Sequence, residues 1–300
     1  MKKYQAAIVG YGNIGKFLLE AIRSSEDFKV AGVVRRVESL KDIPPELKDI
    51  PLVSSIEELE GIDVAFLTIP TRLIPEYARK VLALGINTVD SYDLHGELGK
   101  LRKSLDPIAK ANNTVAVISA GWDPGTDSMI RSIFQFMTPQ GITYTNFGPG
   151  MSMGHTVAVK ALSGIKNAVS LTIPKGTGLH RRVVYVELEE GIDFAAAEAA
   201  IKNDPYFVKD ETVVFPVSNV NQLIDMGHGV TIERKGVSGS THNQILKFDM
   251  RINNPALTSQ VMVASARAGL KQKPGCYTMI EIPLIDYIYG DRNSIIERLV

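Results

Sequence analysis

Two short stretches of this 300-residue chain carry acids where a cationic ligand could be handled. "TVDSYDLHG" sets Asp90 and Asp93 around Tyr92, and "SAGWDPGTDS" sets Trp122, the single tryptophan, directly against Asp123. Both follow apolar runs that read as buried strands, and ligands of open α/β sheets bind at the carboxyl ends of such strands. Two carboxylates there suit an ammonium group and can take a proton during amine oxidation. For Asp90 a turn-acceptor role is an equal alternative. The opposite chemistry comes later in the chain. "GPGMSMGHT" is a glycine-rich turn leading into a helix and can present N–H groups to a carboxylate. "LTIP" offers Thr172, "LHRRVVYV" offers His180, Arg181 and Arg182, "MGHGV" offers His228, and "RINNPAL" offers Asn253 and Asn254.

A second ligand is predicted at the amino end. "VGYGNIGKF" places Gly10, Gly12 and Gly15 after the first strand and at the opening of a helix. The first glycine permits a tight turn, the second lets the backbone approach a pyrophosphate, and the third allows close helix–strand packing. The cofactor-lining stretch is therefore Gly10, Tyr11, Gly12, Asn13, Ile14 and Gly15. An NAD enzyme usually ends its second strand with an acid for the ribose 2′-hydroxyl. This chain has "GVVRRVE", and Arg35 and Arg36 can clamp a 2′-phosphate instead, which points to NADP(H). Three further strand-end turns complete the cofactor set: Ile69, Pro70 and Thr71; Ser91, Tyr92 and Asp93; and Ala120, Gly121, Trp122, Asp123, Pro124 and Gly125.

The elements that position these turns are legible as a pattern. Apolar runs at 4–9, 28–34, 62–68, 86–90 and 114–119 alternate with helical stretches at 13–25, 75–84 and about 94–113, the last with an interruption at Pro107. Strands without alternating polarity, separated by helices, signal a parallel sheet covered on both faces. After about residue 123 the strands become amphipathic and follow one another, which reads as a mainly antiparallel sheet with a few helices, one at 193–203. The expected fold class is α/β, a Rossmann-type doubly wound sheet plus an α+β domain. The dinucleotide-binding domain is expected at 1–122, completed by 254–300, and the substrate-binding and dimerisation domain at 123–253.

Composition narrows the function. At 45% hydrophobic and 22% charged residues the chain reads as an ordinary globular protein. Its 33 Lys and Arg balance 33 Asp and Glu, which speaks against bulk affinity for nucleic acid or anionic membrane. No stretch approaches the roughly 20 apolar residues of a membrane helix. With one cysteine, Cys276, no intrachain disulfide can form, and with no leader-like start this points to a reducing cytoplasm. The five histidines lack paired ligand spacing, so no metal is expected.

Together "VGYGNIG", "VRR", "TVDSYD", "GWDPGTDS", "GPGMSMGH", "RKGVSGSTHN" and "QKPGCYTMIEIP" resemble the meso-diaminopimelate D-dehydrogenase family nearly end to end. The resemblance implies NADP-dependent oxidative deamination at the D-centre of meso-2,6-diaminopimelate, giving L-2-amino-6-oxopimelate, ammonia and NADPH. In reverse it implies supply of a lysine and cell-wall precursor. Carried over by motif, the D-centre contacts are Asp93, Trp122 and Asp123, with Phe147, Met153 and Gly154 lining the pocket. The distal L-centre falls to Thr172, Arg182, His228 and Asn254. Asp93 or Asp123 is implied as proton acceptor, and the face of Trp122 as a wall along the aliphatic spacer. A homodimer, with hexamers in the compact form, is implied as the assembly. The short "IPKGTGLHR" segment is similar to compact variants that accept other D-amino acids and aminate other 2-oxo acids. Two other readings use the same lobes: a reductase of the dihydrodipicolinate or homoserine type, and a non-catalytic NADP sensor. The first lacks a clear catalytic His/Lys pair here, and a sensor needs no ammonium clamp.

Overall fold

The computed structural model describes residues 3–224 and 227–300. Two compact units divide the chain: Met1–Ser132 with Pro255–Val300, and Ile133–Asn254.

The first unit is built on seven parallel strands, β1 (Tyr4–Val9), β2 (Phe28–Val34), β3 (Leu52–Val53), β4 (Val64–Leu67), β5 (Asn87–Asp90), β6 (Val115–Ile118) and β14 (Gly275–Thr278). Their order is β14-β6-β5-β4-β1-β2-β3. Its helices are α1 (Asn13–Arg23), α2 (Ile74–Ala83), α3 (Leu98–Ala111), the start of α4 (Thr126–Met137), nearly all of α7 (Asn254–Gly269) and α8 (Arg292–Leu299). α1 buries Gly15, Leu18, Leu19 and Ile22, a spacing that puts all four on one stripe. This stripe packs with α7 residues Val261, Met262, Val263 and Ala266 on one face of the sheet. α2 and α3 pack on the other face through Ile74, Ala78, Val81, Leu82, Leu101, Leu105 and Ala109. Sheet strands buried on both sides explain why these runs read as unbroken apolar stretches.

Two details differ from the sequence reading. α3 runs through Pro107 without interruption. The ring faces solvent, so the Lys103 carbonyl that loses its helical donor lies on an exposed turn where water can serve it. The tail also adds β14, which pairs in parallel with β6; a four-residue strand is too short to announce itself.

The second unit holds β7 (Gln140–Phe147), β8 (Gly150–Met151), β9 (Ile165–Gly176), β10 (Leu179–Leu188), β11 (Glu211–Pro216), β12 (Gly227–Ser238) and β13 (Thr241–Asn253), with α5 (Met153–Lys160) and α6 (Phe194–Asn203). These strands form two sheets, β11-β10-β9-β8 and β13-β12-β7. Pairing is mainly antiparallel as the sequence suggests, except that β10 and β11 run parallel. The α6 crossover between them returns the chain in the same direction. Arg234 is buried in β12 and donates to the Thr138 and Pro139 carbonyls just beyond α4, satisfying carbonyls that a helix end leaves open. Among the described residues no helix is long and apolar enough to cross a membrane.

Candidate active site

In the first unit every predicted turn sits at the carboxyl end of a parallel strand. Gly10 follows β1 with φ +93°, and an added Cβ would lie 2.8 Å from the Thr68 carbonyl oxygen. A Cβ on Gly15 would lie 2.5 Å from the Gly10 carbonyl oxygen, whereas one on Gly12 would meet nothing within 4 Å. Gly10 and Gly15 are thus required by the turn itself, and Gly12 leaves open space at the start of α1. No side chain caps that helix, so its first N–H groups and positive dipole end are left for an anion. This cradle fits a pyrophosphate. Thr68, absent from the sequence reading, braces it by donating to the Val9 and Gly10 carbonyls at 3.0 and 2.8 Å. Arg35 and Arg36 follow β2 directly. The Arg35 guanidinium lies 5.9 Å from the Tyr11 ring centroid and donates to the Asp42 carbonyl, while Arg36 is exposed. The Tyr11 hydroxyl donates to Glu46 (3.1 Å), and burial followed by that carboxylate raises its pKa.

The acids of this unit divide by environment. Asp90 is fully buried; its Oδ1 accepts the Tyr92 and Ser119 N–H groups, both at 3.0 Å. Burial pushes its pKa up to about 6 against those hydrogen bonds. It ties the ends of β5 and β6 together and takes the turn-acceptor alternative. Asp93 is exposed and accepts from the Thr71 hydroxyl at 2.7 Å, joining the turns after β4 and β5. Ile69 and Pro70 precede that hydroxyl, and Ser91 and Tyr92 precede the acid.

The 120–125 turn is closed by its own backbone. The Gly121 N–H donates to the Pro124 carbonyl (3.3 Å) and the Thr126 N–H to the Gly121 carbonyl (3.1 Å). Ala120, Gly121, Pro124 and Gly125 are buried, and Trp122 is 5% exposed. Asp123 retains 15% side-chain exposure. Burial, then the neighbouring Asp127, pushes its pKa up to about 9, with Asp93 adding to this and Arg131 opposing it. Asp127 is fully buried and ion-paired with Arg131 at 2.6 Å. Near pH 7 the raised pKa holds the Asp123 carboxyl toward its protonated form in the free protein. His95, also absent from the sequence reading, places Nε2 3.8 Å from Asp123 Oδ2 on a half-exposed ring.

In the second unit Thr172 and Arg182 face each other across the β9–β10 ladder. Arg182 donates through Nη1 to the Thr172 hydroxyl and through Nε to Asp210 Oδ2 at 2.6 Å. His228 on β12 is buried, and its Nδ1 accepts the Gly229 N–H at 2.7 Å. Burial lowers its pKa to about 4, so the ring is neutral; Nδ1 also lies 3.1 Å from the Gly229 carbonyl oxygen. Phe147 ends β7 and donates its N–H to His180 Nε2 at 2.8 Å. Gly148 and Gly150 of "GPGMSMGH" admit close backbone approach. A Cβ on Gly148 would lie 2.2 Å from the Thr172 carbonyl oxygen, and one on Gly150 2.3 Å from that of Gly227. The N–H groups of Met153 and Gly154 open α5. Ser152 caps none of them, because its hydroxyl pairs with His155 Nδ1 at 2.8 Å. Asn254 is the first residue of α7. Among the described residues no group of three or more His, Cys, Asp or Glu could hold a metal ion.

A seven-stranded parallel sheet with a glycine cradle after its first strand defines a Rossmann-type nucleotide-binding fold. Residues 4–117 match the oxidoreductase family with an NAD-binding Rossmann fold, and residues 121–181 match the diaminopimelic acid dehydrogenase C-terminal domain. The meso-diaminopimelate D-dehydrogenase of Bacteroides fragilis is 58% identical over 300 residues, covering 100% of both chains. That of Lysinibacillus sphaericus is 34% identical, over 94% of this chain and 95% of its own. Among solved structures, C. glutamicum DAP dehydrogenase in complex with DAP superposes with a TM-score of 0.90 at 26% identity over 100% of both chains. An engineered D-amino acid dehydrogenase bound to NADP+ gives 0.87 at 25% identity, again over 100% of both. The chain belongs to the meso-diaminopimelate D-dehydrogenase family.

Proposed function

We propose that the protein catalyses the reversible, NADP-dependent oxidative deamination of the D-centre of meso-2,6-diaminopimelate, releasing ammonia and L-2-amino-6-oxopimelate, which cyclises to tetrahydrodipicolinate. The observation that carries this is the division of charge: acids gather at the strand ends of the nucleotide-binding unit, and Arg182, Thr172 and a neutral His228 gather in the other. A substrate with an ammonium and a carboxylate at each end needs both sets.

Bound NADP+ supplies the hydride acceptor for the D-carbon. Asp93, exposed and held by Thr71, receives the D-centre ammonium. Asp123 takes the amine proton as the D-carbon loses hydride, His95 gives that proton a route to solvent, and one water adds to the substrate imine so that ammonia leaves and the oxo group forms. Trp122 excludes water along the aliphatic spacer, and Phe147, Met153 and Gly154 line the substrate's path in the second unit. Arg182, Thr172, His228 and Asn254 hold the L-centre, so only the D-carbon reaches the reacting position. Gly10, Tyr11, Gly12, Asn13, Ile14 and Gly15 hold the pyrophosphate, and Arg35 and Arg36 the 2′-phosphate. Residues 1–122 with 254–300 thus serve the dinucleotide, and 123–253 the substrate and dimerisation. In the reductive direction the enzyme supplies the lysine pathway, as a cytoplasmic homodimer or hexamer. Exposed Phe136, Ile142 and Ile245 on the second unit support an oligomer.

Oxidation of meso-diaminopimelate followed with NADP+ and NAD+ in parallel tests this reading, with NADP+ expected to be strongly preferred. Replacing Arg35 and Arg36 together by alanine should lower kcat/KM for NADP+ by about 10²–10⁴-fold, given charge-assisted hydrogen bonds of about 1.5–3 kcal/mol each, and change NAD+ little. A wild-type preference for NAD+ would remove the phosphate assignment.

A further inference from the structure

Arg182 does not stand alone in the second unit. Its side chain is 14% exposed and that of Asp210, its ion-pair partner at 2.6 Å, is 24% exposed. Asp210 lies just before β11, which runs parallel to β10, and the register sets Arg181 beside Glu211 and Arg182 beside Thr212. The two arginines are served by two consecutive acids, Arg181 by Glu211 at 2.7 Å and Arg182 by Asp210. The nearby His155, His180 and His228 are all held toward their neutral forms by burial and so add no positive charge. Arg182 spends Nε on Asp210 and Nη1 on Thr172, and Nη2 makes no hydrogen bond among the described residues.

We propose that Asp210 is a specificity-determining counter-charge that lets the enzyme also oxidise D-amino acids with no distal carboxylate. The inference rests on the reading of Arg182 as the distal carboxylate clamp. Any substrate chain laid against the guanidinium displaces water from it, and a desolvated, unpaired cation is costly. A distal carboxylate compensates the cation itself, through Nη2. A chain that ends without one relies on Asp210 to keep the guanidinium paired. The same carboxylate competes for the cation when a distal carboxylate does arrive. Both effects narrow the gap between the two substrate classes, and specificity is that gap.

D-lysine is the matched probe, being meso-diaminopimelate without its distal carboxylate. The measurement is the ratio of kcat/KM for meso-diaminopimelate to that for D-lysine, in which the folded fraction of a preparation cancels. Wild type should oxidise both. Asp210→Asn keeps an acceptor for Nε without the charge, and should raise the ratio at least tenfold, chiefly by loss of D-lysine turnover. Arg182→Met should lower the ratio, and adding Asp210→Asn to it should change nothing further, since the two act through one contact. If Asp210→Asn does not fold, Asp210→Ser is expected to give the same rise. A ratio unchanged or lowered by the Asp210 variants, with Arg182→Met still lowering it, overturns the counter-charge, as does a wild type unable to oxidise D-lysine. A ratio unmoved by Arg182→Met overturns instead the distal-clamp reading beneath it.

Discussion

Replacing Asp123 by asparagine is expected to lower kcat for oxidative deamination of meso-diaminopimelate by about 10²–10⁴-fold, the usual worth of a positioned general base. The amide keeps the shape of the side chain but cannot take the ammonium proton. The pH dependence separates this role from a packing defect. Burial and Asp127 lift the Asp123 pKa from 3.8 to about 9. The base form therefore grows as pH rises through about 9, and kcat/KM for oxidation should rise with it. In the reductive direction the protonated form is the useful one, so activity should hold below about 9 and fall above it. Asp123→Asn should flatten both limbs relative to wild type. Asp93→Asn should instead raise KM more than it lowers kcat, because Asp93 is exposed and acts as a charge. A full-rate Asp123→Asn enzyme with an unchanged pH profile would move the proton chemistry elsewhere.

The second large effect concerns the turn that presents Trp122 and Asp123. Gly125 has φ +147°, and a Cβ there would lie 1.8 Å from the Gly121 carbonyl oxygen, inside the turn's own closure. Gly125→Ala is expected to destabilise the protein by roughly 3–5 kcal/mol, as substitutions at strained, closed backbone positions do. That corresponds to a Tm lower by roughly 10 °C, with loss of turnover. Gly121→Ala is the internal control. Its nearest neighbours would be 3.5 Å away, ordinary contact, so the change should stay within about 1 kcal/mol. Thermal unfolding of the two variants side by side reads this directly, and equal Tm values would mean the turn is not held as described.

The nucleotide-binding unit was legible because its signals are local. β1 and β2 span the residues their apolar runs indicate, and α1 starts at Asn13 beside the glycines. Acids and arginines at strand ends could be named because a parallel sheet delivers all its carboxyl ends to one edge. What escaped depends on partners far along the chain or on burial. The parallel β10–β11 pairing is not written in either strand alone, and it is what brings Asp210 to Arg182. Asp127, not singled out in the sequence, is fully buried and adds to the burial that raises the Asp123 pKa. Its i,i+4 spacing to Arg131 was the available signal. Glycines 148 and 150 advertised an anion-binding turn, and only the fold shows two backbones pressed against them.

The central claim is that one end of the substrate is held so that only a D-carbon can be oxidised. Its most direct measurement is formation of NADPH and ammonia from meso-diaminopimelate and from L,L-diaminopimelate under the same conditions. Equimolar NADPH and ammonia are expected from the meso compound and none from the L,L compound. Comparable oxidation of both would contradict it.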